Sequence, residues 1–163
     1  MQNHTTRLCA SDGCSAYSVG KSKYCGPHRA AARTAHFERV NAQKVERENR
    51  YARFAAIVLT AHSAGQAAAA VARPVPMVVK GYESSPVMDG ACGFAWVTVR
   101  PGNCSFAIWA KKNMGWSKAY RGGVQLWISA FNQSITLKNA YAHAYAQVLQ
   151  DNGIEAHSGS RLD

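Results

Sequence analysis

Acidic side chains are scarce in this sequence: 9 Asp and Glu stand against 19 Lys and Arg, a formal charge of +10 with the 6 His counted neutral. Such an imbalance excludes a cationic surface as the main partner and favours an anionic one, with nucleic acid first among them. Cysteine is few and odd in number. The 5 present cannot all pair within one chain, and no apolar segment with a small-residue cleavage site follows Met1. A secreted disulfide framework is therefore not expected, and a reducing compartment is. Long unbroken hydrophobic runs are missing as well. The most apolar stretch, Phe54 to Ala72, is interrupted by His62, Ser63, Gly65 and Gln66, so no membrane span is expected of it. Clustered carboxylates and a His-rich motif that would seat a catalytic metal or base are also lacking, which places a nuclease or other hydrolase last among the functional readings.

What is present begins with Cys9, Cys14, Cys25 and His28, spaced C-x4-C-x10-C-x2-H. Two thiols in a tight turn, followed by a Cys and a His one turn apart at a helix start, suit the four corners of a tetrahedral zinc site. Gly13 and Gly26 supply turns that let backbone amides approach the sulfurs. The Gly, Ser and Lys loop from Ser15 to Ser22 has no apolar periodicity, so this zone needs a metal to be ordered. Three Cys and one His complete the coordination shell and leave no position for water, which makes the expected zinc structural rather than catalytic.

The charge is concentrated beside this cluster. Nine basic residues against three acidic ones lie between Lys21 and Arg53. The segment reads as a helix, with Pro27 in its first turn, apolar residues too sparse over residues 36–53 to bury a face, and Glu46 and Arg50 at i,i+4. Gly65 is expected to break it, and the prolines of Arg73 to Pro76 to end it. Pro76 to Gly90 reads as a linker with one short extended piece.

From Ala91 onward the pattern is α+β. Phe94, Trp96 and Thr98 alternate with Ala95, Val97 and Val99 in a strand covered on both faces. A helix capped by Asn103 or Ser105 and stopped at Gly115 follows, then a strand over residues 122–130. A longer helix capped by Ser134 or Thr136 buries Leu137, Tyr141, Tyr145, Val148 and Leu149 and stops at Asn152-Gly153. A short third strand covers residues 154–157, and Ser158 to Arg161 reads as a fraying tail. The expected organisation is a zinc module at 1–28, a helical segment at 29–73, a linker at 74–90 and a compact β-α-β-α-β unit at 91–163. Cys92 and Cys104 are expected to be buried and inert.

Two resemblances accompany these readings. The stretch from Cys9 to Arg33 resembles the short zinc module found beside HNH nucleases and in small tailed-phage proteins, with Cys9, Cys14, Cys25 and His28 at the ligand positions and Arg29 and Arg33 opening a basic helix. The resemblance implies a DNA-associated module and not cleavage, because His62, His143 and His157 stand isolated from one another in the sequence. Residues 65–163, through AAAAVARPVPMVV, CGFAWVTVRPG, GGVQLWISAFNQS and HSGSRLD, resemble a family of small uncharacterised proteins of tailed bacteriophages. That resemblance implies the cytoplasm of a bacterial host, or a virion, as the location.

The expected function is a zinc-stabilised, nucleic-acid-binding phage accessory protein, with DNA ahead of RNA as ligand. The expected contacts are Lys21, Lys23, Arg29, Arg33 and Arg39, together with Lys111, Lys112, Trp116, Lys118, Tyr120 and Arg121 in the loop KKNMGWSKAYRGG. In that loop Trp116 and Tyr120 are read as stacking platforms; the bland alternative folds them back onto the core. The competing function is docking to a host or phage protein.

Overall fold

The computed structural model describes residues 7–78 and 86–163. The chain divides into two compact units, Met1–Arg50 and Tyr51–Asp163. The elements are α1 (Gly26–Val71), β1 (Gly93–Val99), α2 (Ser105–Asn113), β2 (Ser117–Lys118), β3 (Val124–Trp127), α3 (Ile135–Asp151) and β4 (Ala156–Leu162). The class is α+β, as the residue patterns imply.

The first unit has little apolar matter to bury. An isolated antiparallel bridge joins Leu8 to Tyr17, the Cys9 amide donates to the Ala16 carbonyl at 2.8 Å, and the Ala10 amide donates to the Lys23 carbonyl at 2.9 Å. Gly13 turns the chain between Cys9 and Cys14 with φ at 71°, a conformation that favours glycine. Then α1 begins, and every residue from 31 to 50 is exposed. The ion pair on this solvated stretch is Lys44–Glu48 at 3.9 Å, where Glu46–Arg50 was expected.

In the second unit β1 is central. The sheet order is β2-β3-β1-β4, and each neighbouring pair is antiparallel. With a helix after β1 and another after β3, the order of elements is β-α-β-β-α-β, the split βαβ pattern, rather than the expected β-α-β-α-β. The added element is β2, only two residues long. The expected third strand lies further along the chain: β4 pairs with the whole of β1, from Ala156 opposite Val99 to Leu162 opposite Gly93. The presumed tail is therefore ladder, because its backbone groups are paired by β1 whatever its side chains prefer.

One face of β1 carries Ala95, Val97 and Val99, all fully buried, in a core shared with Phe106 and Ala110 of α2 and Tyr145 and Leu149 of α3. The second half of α1 belongs to the same core. Ile57, Val58, Ala61 and Ala69 are buried, and Phe54 meets Phe106 edge-on at 5.3 Å and lies 5.7 Å from Trp109. This half is long and apolar enough to cross a membrane by length and composition; here one side of it packs on the helices of its own unit. The unit thus starts at Tyr51, not at residue 91.

Gly65 does not break α1. A Cβ at that position would lie 2.6 Å from Cδ2 of Tyr141, so the missing side chain is what lets the Tyr141 ring rest against the helix backbone. The expected linker holds a bridge between Met77 and Val87; residues 79–85 lie outside the described residues. The cap of α2 is neither Asn103 nor Ser105 but Cys104, whose Sγ accepts from the Ala107 amide at 3.4 Å. For α3 the cap is Ser134, and Gly153 with φ at 74° follows the helix end as expected.

Candidate functional site

Cys9, Cys14, Cys25 and His28 come together. Their ligand atoms all lie within 4.8 Å of one another, with Cys25 Sγ 3.2 Å and Cys9 Sγ 3.4 Å from His28 Nδ1, and Cys14 Sγ 3.9 Å from Cys25 Sγ. A disulfide bond needs about 2.05 Å, so these are free thiols. The arrangement follows from local structure. Gly13 folds the Cys9–Cys14 segment back on itself, and the start of α1 sets Cys25 and His28 one turn apart, with the Cys25 carbonyl accepting from the Arg29 amide at 2.8 Å. Cys9 and Cys25 are buried, and Cys14 and His28 are half-buried.

The electrostatics suit a cation. The Cys25 backbone N–H, donating to Cys9 Sγ at 3.4 Å, is the largest of the influences that bring the Cys9 thiol down to about 6; burial opposes it, and the Ser11 amide and His28 assist it. At Cys14 a backbone N–H from Ala16 favours the thiolate, but burial and the neighbouring sulfurs of Cys25 and Cys9 outweigh it and raise the pKa. Sulfurs this close resist sharing negative charge without a metal between them. The four residues could hold a metal ion with a complete protein shell.

The basic residues of the first unit are exposed: Lys21, Lys23, Arg29, Arg33 and Arg39 all face solvent. They do not share one face. At 3.6 residues per turn, Arg39 points about 80° away from Arg29, and its Nε donates to the Ala35 carbonyl at 3.2 Å. Over residues 29–50, the basic and histidine side chains within about 60° of Arg29 are Arg33, His36, Lys44, Arg47 and Arg50. Glu38 falls on the opposite side. Arg47 and Lys44 could have been found by extending the helical period from Arg29.

The stretch from Lys111 to Gly123, expected as a loop, begins in the last turn of α2 and runs through β2, and it splits its expected residues. Lys111, Lys112, Lys118, Tyr120 and Arg121 are exposed, Tyr120 completely. Trp116, expected as a stacking platform, is instead 4 % exposed, edge-on to Phe106 at 5.7 Å and 6.3 Å from Tyr145, so its ring closes the core and offers no face to a base.

The second face of β1 was expected to be covered. It is instead half open, and it carries residues that were not among the expected contacts. Trp96 and Trp127, opposite each other in the ladder, stack with centroids 5.5 Å apart and planes 11° from parallel. Phe94 lies 5.5 Å from Trp127, with the Arg161 guanidinium 5.4 Å from its centroid. Lys138, buried on α3, donates to the Gly93 carbonyl at 3.2 Å and lies 5.8 Å from the same ring. The signal was the alternation of Phe94 and Trp96 itself, which could be read as an exposed aromatic face only once β4 was known to bring Arg161 opposite Phe94.

Fold and site define the class: a Cys3His cluster that could hold a metal ion, at the head of a long helix, and an α+β unit built on a four-stranded antiparallel sheet. Comparison with family models, with curated proteins and with solved structures finds no match to the chain.

Proposed function

We propose that the protein is a zinc-stabilised nucleic-acid-binding protein, in keeping with its resemblance to zinc modules beside nucleases and to small tailed-phage proteins. The observation that carries this reading is the seating of Cys25 and His28 at the start of α1, directly before Arg29 and Arg33 on a stretch of helix whose every residue from 31 to 50 is exposed. A helix this solvated does not serve a core. Its repeated cations suit a phosphate backbone.

Zinc is the metal that best fits the donor set. Three soft thiolates and an imidazole select it, and tetrahedral bonds of its usual length separate ligand atoms by about 3.5–3.8 Å. The three shortest separations, 3.2, 3.4 and 3.9 Å, lie around that range, and all pairs are within 4.8 Å, so binding would draw the wider pairs in. The ion fixes the Cys9–Cys25 loop to the head of the helix and supplies no chemistry. A phage accessory role in the host cytoplasm accords with the basic surface and free thiols.

The test combines metal content with salt dependence. Purified protein should carry one zinc per chain, and Cys14→Ser should lose most of it. Affinity for DNA should fall steeply with salt, and replacing Arg29, Arg33 and Arg47 by Ala should lower the log–log slope by roughly two to three, since each phosphate contact contributes about 0.7–0.9. Loss of all binding to duplex DNA, single-stranded DNA and RNA at about 0.15 M salt would remove this reading and favour a protein partner for the same surface.

A further inference from the structure

We infer that the open face of the sheet is a binding site for single-stranded nucleic acid, with bases stacked on Trp96 and Trp127 and phosphates held by Arg100, Arg121 and Arg161. This deepens the nucleic-acid reading and rests on it.

The face is a concavity of about 540 Å³ with an aromatic floor and a cationic border. Trp127 is 43 % exposed, which leaves much of its indole open to solvent beside the half-buried Trp96. Trp96 is held in place from below: a Cβ on Gly159 would come within 2.6 Å of its Nε1 and 2.7 Å of Cε2, so glycine at this point of β4 lets the indole lie against the sheet. The two indoles therefore form one fixed aromatic surface, and the neighbouring Phe94 extends it.

Around this floor stand three guanidinium groups, and among the described residues no carboxylate lines it. Arg100 follows β1, Arg121 follows β2 and Arg161 lies on β4, so the cations reach the same hollow from separate segments of the chain. Tyr120, with no contact that shields it from solvent, borders the hollow as a further ring. Gln125, half-buried at the edge of the hollow opposite Thr98, offers a hydrogen-bonding group for base edges.

Charge complementarity selects the occupant. A duplex presents phosphates but keeps its bases stacked on one another, so it would use the arginines and leave the tryptophans idle. A single strand uses both, since every base has a π-face and each stacked base adds substantially to affinity. Aromatic side chains on the two central strands of a four-stranded sheet form a recurrent platform for unstacked bases.

The experiment measures binding of the full-length, zinc-loaded protein to oligothymidylate and oligouridylate of about 15 nucleotides, and to a duplex of the same length, by fluorescence anisotropy and by quenching of tryptophan emission. The expected result is quenching by both single strands. Trp127→Ala should weaken single-strand affinity about ten-fold, and Trp127→Phe should recover most of it. Arg121→Ala with Arg161→Ala should lower the salt slope for single strands by about 1.4, at roughly 0.7 per contact, with zinc content unchanged. These side chains are exposed, so the substitutions spare the fold, and an unchanged unfolding midpoint verifies that. If single strands bind without quenching, and the Trp127 and Arg121/Arg161 variants bind as the wild type does while the Arg29/Arg33/Arg47 variant loses binding, the sheet site is overturned and the basic helix remains as the contact. If none of the probes binds at about 0.15 M salt, the nucleic-acid reading fails and this inference fails with it.

Discussion

Gly65→Ala isolates the contact between α1 and α3. In an ordinary exposed helix interior the change stabilises by about 1 kcal/mol, because alanine loses less backbone entropy than glycine on folding. Here the new methyl would lie 2.6, 2.7 and 3.0 Å from Cδ2, Cε2 and Cγ of Tyr141. That ring cannot simply turn away. Its hydroxyl is hydrogen-bonded to His62 Nδ1 at 2.6 Å, and its flanks meet Phe131 at 5.6 Å and Tyr145 at 5.8 Å. Overpacking of this kind costs about 1–3 kcal/mol, and losing the His62 bond adds about 1 kcal/mol. Set against the propensity gain, the net expectation is destabilisation of about 1–3 kcal/mol. Urea unfolding followed by tryptophan fluorescence gives the number. The decisive comparison is the same change in a Tyr141→Ala background, where the obstruction is gone and Gly65→Ala should be neutral or stabilising by about 1 kcal/mol. If Gly65→Ala stabilises the wild-type chain by the full helix-propensity amount, then Tyr141 does not lie against α1 and the packing of α1 on α3 described above is wrong.

Two further outcomes follow from the second unit. A chain starting at Tyr51 should unfold cooperatively, whereas one starting at residue 91 loses Ile57, Val58, Ala61 and Ala69 from the core. At about 1.5–3 kcal/mol each for Ile57 and Val58, that loss reaches the lower end of the whole stability of a domain, so equal unfolding midpoints for the two chains would contradict the packing described. Alkali should also weaken this unit. Burial, with the neighbouring Tyr141 charge, raises the Tyr145 phenol, and burial raises Tyr141. Above about pH 10 the unfolded tyrosines ionise while these stay protonated. The folded state then binds more protons, and stability falls with rising pH by up to about 1.4 kcal/mol per pH unit for Tyr145. Urea midpoints between pH 8 and 11 should show that decline, and Tyr145→Phe should reduce it; an unchanged slope in the variant would rule out Tyr145 as its source.

The Cys3His cluster was legible because its geometry is local: four side chains within twenty residues are brought together by one turn and one helix start. The helix ends of α3 were legible for the same reason. What the residues hid was long-range. The cost of Gly65 within a helix is offset by Tyr141, a residue far away in sequence. Ser158 to Arg161 lack the apolar alternation of a strand, and only pairing with β1 makes them one. Trp116 carried the same composition signal as Tyr120, and burial against Phe106 separates the two. The aromatic sheet face needed the register of three strands before Trp96, Trp127 and Arg161 could be seen as neighbours.

The uneven support along α1 has a consequence for how it forms. Starting a helix is unfavourable by roughly a thousand-fold, and continuing one is nearly neutral. Residues 51–71 settle the first step, because Ile57, Val58, Ala61 and Ala69 anchor that half in the core. The exposed residues 31–50 only have to propagate an existing helix, which their Ala, Arg, Gln, Glu and Lys content favours. Toward the head, Arg29 and Arg33 repel each other at i,i+4 by a few tenths of a kcal/mol. A metal ion bound by Cys25 and His28 would hold that end from beyond the repulsion, and a polyanion laid along the arginines would cancel it. With both bound, the point at which the helix frays would be set jointly by metal and anion, and helical ellipticity would report the occupancy of both.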